Sequence, residues 1–299
     1  MSTESTEMGQ TVVRRPCGVK RINTAYGHRY TLDGKPVKGV TTVLGDGVPK
    51  PALVPWAAGS VASLVAEHLD VDNDGNAHAD RLVSYLREVG ANNRYNRWPN
   101  NGAFNRLAAL ETLKGEPYRD RDKAANRGTE VHNLAEKLTL GEEVHPPEEI
   151  AGHIDAYVDW WNAWQPTDVR PEVVVASRKH WYVGTLDLLA VINGQLWLVD
   201  IKTNRSGPFP EVALQLAAYG NAEVMVLEGD DGQLHEHPMP AIERYGVLWL
   251  RGDGHDFHEV YVNRHTFRVF LYAQQIGKFQ KSDRSEHIGP ALNPPEAAA

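Results

Sequence analysis

The stretch of residues 184–203, GTLDLLAVINGQLWLVDIKT, constrains the fold more than any other part of the chain. Two apolar runs flank Asn193-Gly194, which is the strongest short signal for a two-residue hairpin turn because both positions tolerate positive φ. A tight turn places Ile192 opposite Gln195, and this pairing sets the register of both strands. We therefore predict a regular β-hairpin in the middle of a sheet.

Apolar residues occupy both faces of this hairpin. Leu186, Leu188 and Ile192 lie on one face of the first strand, and Leu189 and Val191 lie on the other. The second strand repeats the pattern, with Trp197, Val199 and Ile201 on one side and Leu196 and Leu198 on the other. Strands that are apolar on both faces are typical of a sheet covered by helices on both sides, so the pattern predicts an α/β fold.

The register also predicts a pair of acidic residues. Counting back from the turn places Asp187 opposite Asp200, and the pleat places Lys202 on the same face. Two facing carboxylates with Cβ atoms about 4.5–5.5 Å apart repel each other, so a buried pair requires a cation, a shared proton or a solvated edge. A divalent metal beside an ammonium satisfies the pair most simply. Solvated strand ends, with Lys202 in a plain salt bridge, are the alternative.

The composition excludes several classes of protein. The chain has 299 residues, enough for one elaborated domain or two, and Cys17 is its single cysteine. An internal disulfide, a cysteine zinc site and a four-cysteine iron–sulfur cluster are therefore excluded. No apolar run predicts a membrane span and no signal peptide is expected, so we predict a cytoplasmic protein. The net charge of −8 argues against a protein that coats DNA, although a local positive site would still bind phosphate.

The pattern along the chain divides it into four regions. We predict a disordered N-terminus at 1–20, a mainly helical region with a small hairpin at 21–117, an α/β core at 118–280 and a disordered tail at 281–299. The predicted elements are a hairpin at 28–40, helices at 51–69, 79–89, 103–114, 118–140 and 147–164, strands at 170–177 and 180–183, the central hairpin, a helix at 210–227, a hairpin at 245–262 and a helix at 264–280. The fold class follows as α/β, a central mixed β-sheet flanked by helices with a helical N-terminal half.

Four more polar residues are candidates for the surroundings of the hairpin. His132 borders the buried stripe of the helix RGTEVHNLAEKL, and Glu172 precedes the apolar run of a strand. Gln215 and Tyr219 lie one turn apart on one face of a helix. Each also has an ordinary structural explanation: a satisfied helix histidine, a solvated strand end, and a surface glutamine beside a half-buried tyrosine.

These residues occur in a characteristic order. The order is His132 in a GTxxH helix, Glu172, Asp187 in GTLD, the triplet Asp200-Ile201-Lys202, and Gln215-x-x-x-Tyr219. It resembles the RecB-like branch of the PD-(D/E)xK nucleases, which includes the nuclease domain of RecB, CRISPR-associated RecB-like exonucleases and phage recombination exonucleases. The resemblance covers about residues 120–262 and implies a restriction-endonuclease-like nuclease core within 118–280.

The resemblance implies a Mg²⁺- or Mn²⁺-dependent deoxyribonuclease, namely an exonuclease of phage DNA recombination or repair. It assigns His132, Asp187, Asp200 and the backbone carbonyl of Ile201 as ligands of one or two ions. The iron–sulfur members of the family carry four cysteines, so no cluster is expected here. Helicase motifs and a phosphate-cradling loop are also missing from the sequence.

The resemblance also implies roles for the remaining residues. Lys202 would hold or deprotonate the attacking water, and Glu172 would take a second metal or its water shell. Gln215 and Tyr219 would position DNA. Arg127, in a basic cluster before the His132 helix, is a candidate for a phosphate contact and also fits a solvated helix face. Further candidates for phosphate contacts or base stacking, each of which also fits a solvated helix face or core packing, are Arg119, Arg121, Lys123, Arg264, Arg268, Lys278, Lys281, Tyr95 and Trp98.

Three alternatives stay open. A structure-specific endonuclease of the same superfamily would share the metal site, and a non-catalytic DNA-binding protein would retain only the fold. A hydrolase of sugars would use Asp187 and Asp200 as acid and base. The expected partners are DNA and a single-strand annealing protein, with no membrane, and no pattern indicates the oligomeric state.

Overall fold

The computed structural model describes residues 17–24, 27–72, 74, 76–91 and 104–292. These residues form two compact units. One unit combines the chain up to Pro49 with the chain from Val131 onward, and Lys50–Glu130 form the other. The first unit contains the hairpin at 184–203 and all the candidate metal ligands.

Most strands belong to the first unit. It begins with β1 Val19–Thr24, β2 Gly27–Leu32, β3 Lys35–Val37 and α1 Val40–Gly47. The second unit contains α2 Leu53–Glu67, β4 Asp70–Val71, β5 Ala77–His78, α3 Asp80–Ala91 and the first part of α4 Arg106–Thr139. The first unit resumes with α5 Glu148–Trp164, β6 Thr167–Ser177, β7 Tyr182–Ile192, β8 Gln195–Lys202, α6 Glu211–Gly220, β9 Val224–Glu228, β10 Leu234–Pro238, β11 Arg244–Arg251, β12 Gly254–Glu259, α7 Arg264–Phe279 and a 3-10 turn at Arg284–Glu286.

Seven strands of the first unit form one mixed sheet in the order β10-β9-β6-β7-β8-β11-β12. Neighbouring strands are antiparallel except β8 and β11, which are parallel. A parallel pair needs a crossover connection, and α6 lies within it. Helices α1, α6 and α7 pack on one face, and α5 packs on the other with the C-terminal turns of α4. The predicted fold class, a central mixed sheet flanked by helices, is confirmed.

The predicted register of the central hairpin is confirmed from the turn to Leu188. Asn193 and Gly194 have φ angles of 51° and 75°, as the turn requires, and Ile192 pairs with Gln195. The ladder then continues without a shift until Leu188 lies opposite Val199. Turn chemistry and the two-residue period of the strands therefore set this half of the hairpin.

The predicted alternation of faces fails at Asp187. Leu188 packs with Val199 on the α5 face of the sheet, whereas Leu186 packs on the α6 face. A strict two-residue period would put both leucines on one face. The register places Glu172 of β6 opposite Asp187, and Glu172 has a φ of 50°, in the left-handed region that non-glycine residues rarely adopt. The central strands thus leave regular geometry where acidic side chains lie.

The prediction of two helices at 103–114 and 118–140 is wrong, because α4 continues through Pro117. The Arg119 guanidinium spans the proline by donating hydrogen bonds to the Thr112 carbonyl and to the Glu116 carboxylate. A proline in a helix removes one backbone hydrogen bond, and these side-chain contacts reinforce the helix around it.

The helix predicted at 210–227 is also too long. It ends at Gly220, and Val224–Glu228 forms β9 beside β6 instead. An apolar run by itself does not distinguish a short strand from the end of a helix. The pairing of Val226 with Val174 decides the outcome.

The compact units differ from the predicted regions. Val19 and Leu32, from the segments assigned to the N-terminal regions, pack with Ala176 and Val183 of the main sheet, so this part of the chain belongs to the core unit. Parts of the termini predicted to be disordered, 17–20 and 281–292, are described: β1 begins at Val19, and Arg284–Glu286 form a 3-10 turn. The predicted disorder at 1–16 and 293–299, and the predicted roles of Tyr95 and Trp98, lie outside the described residues. Within the described ranges, no helix has both the length and the apolar character needed to cross a membrane.

Candidate active site

The candidate site lies where β7 and β8 separate. Their pairing ends at Leu188 and Val199, and β8 continues alongside β11 through Asp200. The Asp187 Oδ2 atom accepts a 2.7 Å hydrogen bond from the backbone N–H of Ile201. A carboxylate therefore takes the place of the next backbone acceptor, because a buried N–H requires one.

Asp200 lies at the centre of a group of polar contacts. Its Oδ2 atom lies 2.7 Å from the Lys202 ammonium, and its Oδ1 atom accepts a 2.6 Å hydrogen bond from the Gln215 amide. The same amide nitrogen lies 3.3 Å from the Tyr219 hydroxyl, and the Gln215 carbonyl oxygen accepts from Lys202 at 3.4 Å. Asp200 is 1% exposed, so its charge has to be balanced inside the site.

A second group of side chains has the geometry of a metal site. His132, Glu172 and Asp187 each present one ligand atom, and these atoms lie within 4.8 Å of one another. Ligands on opposite sides of Mg²⁺ lie about 4 Å apart, so a small contraction would let the three hold one cation. The cavity that they line with Ile201 has a free volume of about 10 Å³, which suits an ion or a water molecule and is too small for an organic cofactor.

The N-terminal hairpin contributes residues that the sequence analysis missed. Arg21 Nη1 donates a 3.1 Å hydrogen bond to Glu172 Oε2, across a sequence separation of 151 residues. Tyr30 shares a 2.9 Å hydrogen bond with the hydroxyl of Thr185, in the GTLD segment. No motif or local period links residues so far apart, so only the tertiary structure reveals them.

A glycine in GTLD allows the Tyr219 ring to reach its position. A Cβ atom added to Gly184 would lie 2.4 Å from Tyr219 Cε1, closer than any real contact. Gly184 therefore serves close packing rather than a turn. Because Tyr219 contacts Gln215, this packing also supports the position of the Asp200 carboxylate.

The pKa shifts follow from burial and from the crowding of charges. Burial raises the pKa of Asp200 to about 6, with Lys202 opposing and Asp187 reinforcing the rise. Burial opposes the charges of Lys202 and His132, but the adjacent carboxylates outweigh it, so both pKa values are raised. The positive charges of His132 and Lys202 likewise overcome burial and lower the pKa of Asp187. Burial and Asp187 raise the pKa of Glu172. The site thus gathers cationic groups around its carboxylates, which is the environment that a bound metal would also supply.

The structure brings most of the candidate residues together: His132, Glu172, Asp187, Asp200, Ile201, Lys202, Gln215 and Tyr219. Gln215 and Tyr219 are both buried; Gln215 donates a hydrogen bond to Asp200, and Tyr219 accepts one from Gln215. Their predicted contact with DNA stays a prediction. Metal coordination by the Ile201 carbonyl stays a prediction.

The other predicted DNA contacts stay predictions as well. Arg127 is half-buried in the second unit. Arg264, Arg268 and Lys278 are exposed along α7. Three of the remaining basic residues form ion pairs, Arg119 with Glu116, Arg121 with Asp122 and Lys281 with Asp46.

Comparison with known proteins does not assign the chain to a family. Neither the known protein families nor the curated proteins contain a match. One similar solved structure is that of the protein SSO0001, with 13% sequence identity and a TM-score of 0.28, covering 53% of this chain and 72% of the other. A likeness of this size carries no weight for fold or function, so the function has to be inferred from the site itself.

Proposed function

We propose that the protein is a divalent-metal-dependent deoxyribonuclease that acts as an exonuclease in DNA recombination or repair. The observation that carries this proposal is the convergence of four ionisable side chains where β7 and β8 separate, namely His132, Asp187, Asp200 and Lys202. Their order along the chain resembles that of the RecB-like PD-(D/E)xK nucleases, which supports the choice of DNA as the substrate.

The donor set fits Mg²⁺ or Mn²⁺. Carboxylate oxygens suit both ions, and the imidazole of His132 shifts the preference towards Mn²⁺. When bound, such a cation would polarise the scissile phosphate and lower the pKa of a bound water. Glu172 and Asp187 would hold it together with His132. The Asp200 Oδ2 atom, which is paired with the Lys202 ammonium, would be a further donor.

Lys202 is the residue that we assign to act on the substrate. Its side chain is 32% exposed, whereas the Asp200 carboxylate that it contacts is almost fully buried. The ammonium would hold the attacking water and offset the negative charge that develops on the phosphate. Gln215 fixes the rotation of Asp200, so the ammonium and the carboxylate keep one relative position.

The acidic total charge is compatible with a DNA substrate, because the positive charge of Lys202 and of a bound metal is local. A hydrolase of sugars is disfavoured. The two carboxylates of such an enzyme must touch the glycosidic bond. Asp200 is buried, and Asp187 is engaged by the Ile201 N–H and by His132.

The proposal is tested with the purified full chain on end-labelled linear DNA, double- and single-stranded. We expect degradation with Mg²⁺ or Mn²⁺, none with EDTA, and binding without cleavage with Ca²⁺. Asp187→Asn should abolish cleavage, and Asp155→Asn, at an exposed position of α5, is the matched control. Cleavage that survives EDTA would contradict the proposal.

Two further results separate the related functions. Covalently closed circular DNA should resist the enzyme if it is an exonuclease, whereas a structure-specific endonuclease would open circles that present its target. DNA binding without cleavage under every metal would indicate the non-catalytic alternative. A role in recombination also implies action in the cytoplasm, of a bacterial host if the chain is phage-encoded, and a single-strand annealing protein as partner, which co-purification would test.

A further inference from the structure

One face of the β1–β2 hairpin is turned towards the main sheet. Val19 and Leu32 pair with each other on this hairpin, and both are buried against the sheet. Arg21 pairs with Tyr30 two residues further along, so the pleat puts these two side chains on the same face. The packing of the hairpin therefore aims Arg21 at the sheet surface that carries the candidate site.

Arg21 is held from one side and holds Glu172 on the other. Its Nη2 atom donates a 2.7 Å hydrogen bond to His28 Nε2, and its Nη1 atom donates to Glu172 Oε2. The Glu172 Oε1 atom accepts no hydrogen bond from the residues that the structure describes, so it is available to a cation. A planar guanidinium with two fixed donors restricts the carboxylate more than a flexible ammonium would.

Glu172 needs such a partner. Its backbone has a φ of 50°, and its side chain is largely shielded from solvent beside the Asp187 carboxylate. Like charges at short range favour rotation of one carboxylate out of the site or its protonation. The guanidinium opposes both, because it balances the charge of Glu172 and keeps its side chain near His132 and Asp187.

We propose that Arg21 is a positioning residue of the metal site, which holds Glu172 in place to bind a divalent cation with His132 and Asp187. This inference rests on the proposed function, in which those three side chains hold the metal. It makes the N-terminal hairpin part of the active site. Arg21 contacts the carboxylate of a proposed ligand rather than the metal itself, and such partners orient ligands in metalloproteins.

The test is Mn²⁺ binding by the full chain without DNA, followed by electron paramagnetic resonance and calorimetry. Arg21→Gln should weaken Mn²⁺ affinity by about 10–100-fold, the usual effect of losing an outer partner. Arg21→Lys should recover part of the affinity. Arg29→Gln is the matched control, because Arg29 pairs with the exposed Ile22 on the opposite face of the hairpin, and it should change the affinity by less than about twofold.

A double-mutant cycle with Glu172→Gln separates positioning from a general structural role. If Arg21 acts through Glu172, Arg21→Gln should have no further effect on Mn²⁺ affinity once Glu172 is replaced. Unchanged affinity in Arg21→Gln, or independent losses that multiply, would overturn the inference. Should Arg21→Gln fail to fold, His28→Ala replaces it in the cycle, with a smaller loss expected and the same criterion.

The two proposals fail in different ways. If Mn²⁺ binds with the expected dependence on Arg21 but DNA is never cut, the proposed nuclease activity is wrong and the positioning role of Arg21 is supported. If DNA is cut and the Arg21 variants bind Mn²⁺ normally, the positioning role is wrong. A wild-type chain that binds no Mn²⁺ would overturn both.

Discussion

The two ends of the β7–β8 hairpin differ in whether the two strands pair with each other and in the ionisable side chains that they carry. At the closed end, Ile192 and Leu188 pair with Gln195 and Val199 in one unbroken ladder, with apolar cores on both faces. At the open end the ladder stops, and the Asp187 carboxylate accepts the Ile201 N–H instead. The ionisable side chains of the hairpin, Asp187, Asp200 and Lys202, lie where the strands part.

Under the proposed function, this difference lets one short segment serve both stability and chemistry. A regular ladder satisfies every backbone group internally and leaves the side chains free to be apolar. Once the strands diverge, a buried N–H needs a side-chain acceptor, and an acceptor with a charge needs cations around it. The open end therefore contributes Asp187 to the proposed metal site, whereas the closed end stabilises the sheet.

The largest expected effect is on catalysis at the open end. Lys202→Ala should lower the rate of DNA cleavage by about 10²–10⁴-fold, the usual contribution of a positioned acid–base or charge-stabilising group. Single-turnover cleavage with Mg²⁺ measures it, with Lys179→Ala, at an exposed position, as the control. A cleavage rate equal to that of the wild type would contradict the catalytic role of Lys202. The proposed functional difference between the two ends would then also be wrong.

The closed end should respond to mutation in stability alone. Leu198 is fully buried, and Leu198→Ala should lower the free energy of unfolding by about 2–5 kcal/mol because it leaves a cavity. Denaturant unfolding measures the loss, and the folded fraction should cleave DNA at a rate close to that of the wild type. Leu234→Ala, at an exposed position of β10, should cost less than about 0.5 kcal/mol.

Two glycines sharpen the comparison. Gly184→Ala at the open end should lower the free energy of unfolding by about 1–3 kcal/mol, because the new methyl group displaces Tyr219. It should also reduce cleavage, because Tyr219 contacts the Gln215 amide that bonds Asp200. Gly194→Ala at the closed end has open space around its Cβ and strain only from its φ of 75°. Gly194→Ala should lower the free energy of unfolding by about 1 kcal/mol and leave the rate of DNA cleavage unchanged. Equal activities for both variants would contradict the assigned role of Gly184.

The smallest effect concerns an ion cluster outside both ends. Arg178 donates hydrogen bonds to Glu236 and Asp33, and these bonds lower the pKa of both carboxyl groups. The lowered pKa stabilises the folded protein at pH values above 4.5, which is the pKa of Glu236 in the unfolded chain. This stability is lost as the pH falls through the pKa that Glu236 has in the folded protein. Glu236→Gln should therefore lose less stability than the wild type between pH 5.5 and 3.5, while cleavage at neutral pH stays unchanged. Denaturation midpoints of both proteins at pH 5.5 and 3.5 measure this difference. Equal losses of stability in the wild type and the variant would contradict the prediction.

A feature of the site was predictable when the residues that determine it lie close together in the sequence. Asp200 and Lys202 follow from the pleat of β8, which stays paired with β11. The predicted pairing of Asp187 with Asp200 is wrong, because the ladder between β7 and β8 ends at Leu188 and Val199. The predicted face of the Leu186 side chain was wrong, because a two-residue period assumes a regular strand and β7 is irregular at Asp187. The burial of Gln215 and Tyr219 could not be predicted either, because it depends on how α6 packs against the sheet.

The sequence by itself determined the mixed α/β class and the register of the central hairpin from its turn to Leu188, since turn chemistry and residue periodicity act over a few neighbouring positions. Only the tertiary structure decided where the two strands part, which side chains hold Asp200, and that Arg21 reaches Glu172 from the N-terminal hairpin. Contacts between residues far apart in the chain depend on how whole elements pack, and no local pattern in a single sequence records that packing.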